Sequence, residues 1–154
     1  MRRPTHSRQR AAPNGAFAKI LVPIDLSNRH KTAIDLAATL AYRPGGEVVL
    51  LHVIEVIAGL PLDEEKGFYG RLDKAARKHL DRLAVILNQR EVICRTDVVY
   101  GHRAAEVVRF ANEAKADLII ATAPRVDPKN VAAGWGSLSY KISFFSPCPV
   151  LLVK

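Results

Sequence analysis

One α/β domain, a parallel sheet with helices on both faces, is what the sequence predicts, and three observations carry it. From residue 17 onward, five short apolar runs alternate with four segments of helical period. Strands separated by helices are joined by crossovers, which make them parallel. The runs are close to continuously apolar, as in EVVLLHVI over residues 47–54, which suits strands covered on both sides. The length of 154 residues fits a single core.

Residues 1–16 stand apart from this pattern. They hold Arg2, Arg3, Arg8 and Arg10, half of the formal net charge of +8, with no acid before residue 19. A like-charged run without an apolar stripe reads as a basic tail in solvent. Unspecific phosphate attraction is open to it, as is a short organelle-targeting role. Specific nucleic-acid recognition is not expected, since no aromatic residue interleaves the arginines to stack on bases. Pro13-Asn14-Gly15 closes the tail, and the domain is assigned to 17–154.

Lys19-Ile20-Leu21-Val22-Pro23 reads as a buried strand and Asp25 to Asn28 as a turn, with Ser27 or Asn28 capping the next helix. Ala33, Leu36, Ala37, Leu40 and Ala41 recur with helical period until Pro44-Gly45-Gly46 stops them. Glu47 to Ile54 is the second strand. After a loop, Asp63 opens a long helix to about Asn88, its stripe formed by Leu72, Ala75, Ala76, His79, Leu80, Leu83 and Leu87. Val92 to Tyr100 is a third strand, polar enough for a place near an edge. Gly101 turns into a helix carrying Ala104, Ala105, Val108, Ala111 and Asn112. Asp117 to Thr122 is the fourth strand, followed by a long loop over 123–136. Ser137 opens a short helix to Phe145, and Pro147-Cys148-Pro149 leads into the last strand, Val150 to Val153.

Several chemistries find no support. No apolar run approaches the roughly 18–20 residues of a membrane span. Cys94 and Cys148 lie on or beside different strands, so a disulfide framework is not expected and a reducing cytoplasm is. Both read as small buried residues without an activating base. Zinc-protease, paired-cysteine, nucleophile-elbow and Walker patterns are missing from the sequence. His52 and His79 read as packed histidines, His102 as a helix-start residue, and His30 as a cap or surface residue. Trp135 reads foremost as an anchor of its loop on the core or at a subunit seam, with cover for a ligand cleft as the alternative. In sheets of this kind ligands bind beyond the carboxyl ends of the strands, where the strand order reverses. That selects Pro23-Ile24-Asp25, Val53-Ile54, Gly101 and the 123–137 loop.

Four phrases are specific in combination: KILVPID at 19–25, LHVI at 51–54, ADLII at 116–120 and PCPVLLV at 147–153. In order and spacing they resemble universal stress proteins over residues 17–154. The resemblance implies a five-stranded sheet of order 3-2-1-4-5, of the adenine nucleotide alpha hydrolase-like kind. It implies a homodimer paired through the last strand, Val150 to Val153. It also implies an adenine-nucleotide cleft, with Pro23 and Asp25 beside the adenosine and Val53 near the adenine.

In nucleotide-binding members the loop after strand four reads Gly-x-x-Gly, nine residues, then Gly and Ser or Thr. Such glycines let backbone N–H groups approach phosphates, and the following helix start adds its dipole. Here Ala123 and Val126 occupy the first two glycine positions, while Gly136 and Ser137 keep the last pair. Val126 resists a positive φ, and Pro124 has no N–H. Arg125 and Lys129 are candidates to replace lost donors with charge. ATP or another adenine nucleotide, with Mg2+ only as its companion, is therefore expected to bind weakly or differently. Three functions follow: a dimeric regulatory module with a degenerate phosphate loop, a nucleotide-independent interaction dimer, or a weak hydrolase. The last has no assigned catalytic residue, and only Asp25 and Asp127 as metal candidates.

Overall fold

Residues 17–41, 44–125 and 127–154 are described in the computed structural model; the basic tail and Val126 lie outside them. The elements are β1 (Lys19–Pro23), α1 (Lys31–Leu40), β2 (Glu47–Glu55), α2 (Lys66–Asn88), β3 (Ile93–Gly101), α3 (Arg103–Glu113), β4 (Leu118–Thr122), a 3-10 turn (Val131–Gly134), α4 (Leu138–Phe145) and β5 (Val150–Val153). All strand pairs are parallel, in the order β3-β2-β1-β4-β5.

Strand alternation sorts the apolar residues into two layers. Ile20, Val22, Val48, Leu50 and Ile120 pack under α1 and α2, where Ala33, Ala37, Leu80 and Leu87 meet them. Leu21, Val49, Leu51 and Ile119 face the other way, onto Val107 and Ala111 of α3 and Ile142 of α4. Each fully buried leucine or isoleucine contributes about 1.5–3 kcal/mol, so both layers are needed to hold β1 at the centre. β3 lies at an edge and is only partly buried, as its polar sequence predicts.

Two helices begin later than their sequence signals, for a local reason. The Ser27 N–H donates to Asp25 Oδ1 at 2.8 Å, holding 25–29 in a turn, so α1 starts at Lys31 and neither Ser27 nor Asn28 caps it. Before α2, the Pro61 carbonyl accepts from the N–H groups of Glu64 and Glu65, and the helix starts at Lys66 instead of Asp63. Tyr69 fastens that loop, donating its hydroxyl to the Leu60 carbonyl at 2.7 Å and accepting from the Ile57 N–H at 3.1 Å. Gly101 closes β3 at φ +146, where a Cβ would collide with the Glu106 side chain at 2.7 Å.

His79 is buried on α2, and its Nε2 has no partner among the described residues. Burial holds its pKa below the ordinary value of 6.5; Arg82, His30 and His52 push the same way, and Asp25 opposes them. The neutral ring is thus the folded form, while the unfolded chain takes up the proton more readily. The stability this confers is complete above the ordinary histidine range and is lost as pH falls below it toward the lowered folded pKa. Urea midpoints measured from pH 7 to 5.5 should fall more steeply for the natural protein than for His79→Leu. Parallel curves would show that His79 does not titrate on unfolding.

Candidate functional site

The tips of β1, β2 and β4 open onto a cleft of about 690 Å³. It exists because β1 stops first. Pro23 ends that strand, and the Ile24 N–H makes the last rung, to the Leu51 carbonyl at 2.8 Å, while β2 runs on to Glu55. Successive residues of a strand turn their backbone groups to opposite sides. The Val53 N–H and C=O therefore face the same side as those of Leu51, past the end of β1. Val53 and Ile54 line the cleft, and among the described residues β1 supplies Val53 with no backbone partner, so this stretch of β2 offers a donor and an acceptor over an apolar floor.

Between β1 and β4, where the strand order reverses, a polar chain closes the floor. His30 is buried, with Nε2 2.7 Å from Asp25 Oδ1 and Nδ1 3.0 Å from the Thr122 hydroxyl. Burial raises the Asp25 pKa, but hydrogen bonds from Ser27, His30 and Arg29 outweigh it and hold the carboxyl well below the usual range. An ionised carboxylate only accepts, so the contact with His30 needs the proton on Nε2. Nδ1 of the neutral ring then accepts from Thr122. The Asp25 N–H also lies 3.1 Å from Nε2; a protonated nitrogen does not accept it, and the shorter contact with the carboxylate decides the tautomer. Arg29 donates to Asp25 Oδ2 through Nε at 3.1 Å and Nη2 at 2.5 Å.

The opposite wall is α3 and α4. Arg103 donates to Glu55 through Nε at 2.7 Å and ties the start of α3 to the tip of β2, beside His102. His52 lines the cleft and donates from Nδ1 to the Ile24 carbonyl at 2.8 Å. In the neutral ring this leaves Nε2 as a bare acceptor. At the start of α4, Ser137 Oγ accepts from the Tyr140 N–H, and the Ser137 N–H donates to the Gly134 carbonyl at 3.1 Å.

Of the residues picked from sequence, Pro23, Asp25, Val53 and Ser137 line the cleft. Ala123, Arg125 and Gly136 do not: Ala123 is buried with its N–H given to the Val153 carbonyl at 2.8 Å, and Arg125 and Gly136 are exposed. Val126 lies outside the described residues. Lys129 is exposed, and Asp127 accepts from the Lys129 N–H within its own turn. Trp135 is 62% exposed, so it does not anchor its loop on the core of the subunit. His30 corrects a sequence expectation: it is neither a side-chain cap nor a surface residue, but the bridge between two strand tips.

An all-parallel sheet with a ligand-sized cleft at its point of reversed strand order defines an α/β binding domain. Within that class, the chain belongs to the universal stress protein family, whose sequence profile matches residues 16–154. It is 28% identical to universal stress protein MJ0531 of Methanocaldococcus jannaschii, over 90% of this chain and 82% of that protein. It superposes on the structure of hypothetical protein MJ0577 with a TM-score of 0.75 at 25% identity, covering 89% of this chain and 95% of that one. A universal stress protein from Archaeoglobus fulgidus, solved in complex with dAMP, gives a TM-score of 0.67 at 18% identity, with 88% and 97% coverage. Among the described residues, no helix is long and apolar enough to cross a membrane.

Proposed function

We propose that the chain is a cytoplasmic regulatory module of the stress-response type, a homodimer whose cleft takes an adenine nucleotide. The observation that carries this reading is the open edge of β2. Among the described residues the Val53 N–H and C=O stand unpaired over an apolar floor, the donor–acceptor pair that the Watson–Crick edge of adenine complements. Support also comes from the A. fulgidus relative of the same fold, which was solved with dAMP. Such a ligand signals by biasing whichever state of the module it binds better. No residue is assigned to catalysis; the Asp25–His30–Thr122 chain has the character of a brace across the strand tips.

A second reading, a nucleotide-independent interaction dimer, has its own observation. Asp25, the residue the resemblance sets beside the adenosine, already accepts from Ser27, Arg29 and His30, so its carboxylate has little left to offer a ribose. One experiment separates the two. The protein is purified without added nucleotide and denatured, the supernatant is chromatographed, and refolded protein is titrated with adenosine by calorimetry. Saturable binding of adenosine is expected. An empty extract together with no heat from adenosine, AMP or ATP would establish the second reading in its place.

A further inference from the structure

We infer that Tyr69 is a positioning residue of the cleft: its buried hydroxyl holds the 57–60 turn so that Ile57 stands as an apolar lip over the base of a bound nucleoside. The inference rests on the adenine-nucleotide reading above. Of the large apolar side chains that line the cleft, Leu26 and Ile57 are exposed, at 44% and 50%. Leu26 follows β1 and Ile57 follows β2, so they flank the gap past the end of β1 that the Val53 N–H and C=O face. A purine held by its edge at Val53 keeps two apolar faces, and covering one of them together with Ile57 removes both from water.

The lip is built before any ligand arrives. Ile57 opens a turn that the Leu60 N–H closes on the Ile57 carbonyl at 3.0 Å. Gly59 stands third in it at φ +80, the left-handed position of a type II turn. Tyr69 Oη grips both ends of this turn, accepting from the Ile57 N–H at 3.1 Å and donating to the Leu60 carbonyl at 2.7 Å. The ring has no room to follow a moving loop. It is 2% exposed, and Phe68 and Tyr100 meet it edge to face with centroids 5.2 and 6.3 Å away. Tyr100 is in turn tied to Asp73 of α2 by its own hydroxyl at 3.2 Å. The place of Ile57 is therefore set by α2.

An exposed isoleucine is ordinary by itself. Here the same residue also lines the cleft, and its N–H is bonded to a buried side chain of α2 instead of water. Such fixing favours binding, because a lip that had to be ordered by the ligand would charge that entropy to the affinity. Tyr69 is not part of the cleft lining, so its effect on a ligand runs through Ile57.

The test is calorimetric titration with adenosine and with AMP of the full chain, Ile57→Ala, Tyr69→Phe and the double variant. Ile57→Ala should weaken both ligands about five- to tenfold, the share of a half-exposed isoleucine that the base covers. Its melting temperature should stay within about 2 °C, as for other surface changes. Tyr69→Phe keeps the buried ring and deletes the two hydroxyl contacts, and should weaken both ligands about three- to tenfold. The double variant should bind within twofold of the weaker single one, because a lip without its isoleucine has nothing left to position. Losses that multiply in the double variant would show that Tyr69 acts by another route. Affinities within twofold of the natural chain for either single variant would overturn the lip, and both results leave the adenine reading in place. A natural chain that binds neither adenosine nor AMP would overturn the two together.

Discussion

His30→Ala should lower the melting temperature by about 6–12 °C, the largest stability change expected from any single residue of the cleft. Three consequences add. The ionised Asp25 carboxylate loses its hydrogen bond from Nε2, and such bonds to charged groups are worth about 1.5–3 kcal/mol. The lower end applies, because Asp25 is about a third exposed and Arg29 and Ser27 remain on it. Thr122 loses the partner that turns its hydroxyl inward. The ring itself is 5% exposed, so its removal leaves a void where β1 and β4 are held together beyond their last backbone rungs. Together these cost about 3 kcal/mol, and in a chain of this length each kcal/mol moves the melting temperature by roughly 2–4 °C. Leu26→Ala, an exposed change in the same turn, is the control and should move it by less than 2 °C. A shift for His30→Ala as small as the control's would mean that the chain is incidental to the fold. The difference should also persist down to about pH 5. Asp25 has a depressed folded pKa, so its contribution is complete above the ordinary carboxylate value of 3.8 and fades only as pH falls below it.

The sheet was legible in the residues because parallel strands buried on both faces write themselves as uninterrupted apolar runs. The match of Lys19–Pro23 and Val150–Val153 to their strands is the result. The strand order was not in the periodicity; the resemblance supplied it. Helix starts were read less well, since capping signals are short and compete with other local hydrogen bonds. The Asp25 carboxylate accepts the Ser27 N–H and holds 25–29 in a turn of its own, so the helix starts after it.

At the cleft, positions fixed by strand ends were readable: residues 23, 25 and 53 follow from where β1 and β2 stop. His30 was not, because its partner Thr122 lies 92 positions away and nothing local announces it. Ala123 failed as a phosphate residue for a similar reason. Its N–H belongs to the β4–β5 register, a fact of pairing with Val153 that no pattern within the loop contains.

Leu152→Lys should convert the proposed homodimer to a monomer, raising its dissociation constant at least a thousandfold. Among the described residues β5 pairs only with β4, which leaves the backbone groups of its outer edge open, and an edge strand without charge or proline is a template for another strand. Here Leu151 and Leu152 are 37% and 43% exposed, and beside them α4 presents Phe144 and Phe145 at 72% and 65%. The two rings pack edge to face at 5.0 Å, a preformed apolar block on the same flank. Pairing β5 with its copy around a two-fold axis would satisfy the backbone and cover both leucines.

The symmetry also multiplies the damage, because each substitution enters the seam twice. Two unpaired ammonium groups desolvated together cost several kcal/mol, and each 1.4 kcal/mol is tenfold in affinity. Within the subunit the same lysine is benign: Leu152 is already substantially exposed, so circular dichroism and melting of the monomer should stay near those of the natural chain at low concentration. Light scattering at matched concentrations reads the outcome. A folded Leu152→Lys that keeps twice the chain mass would move the interface away from β5, and Phe144→Ser would then ask whether α4 holds it instead. A natural protein with the mass of one chain would remove the dimer from the proposal altogether.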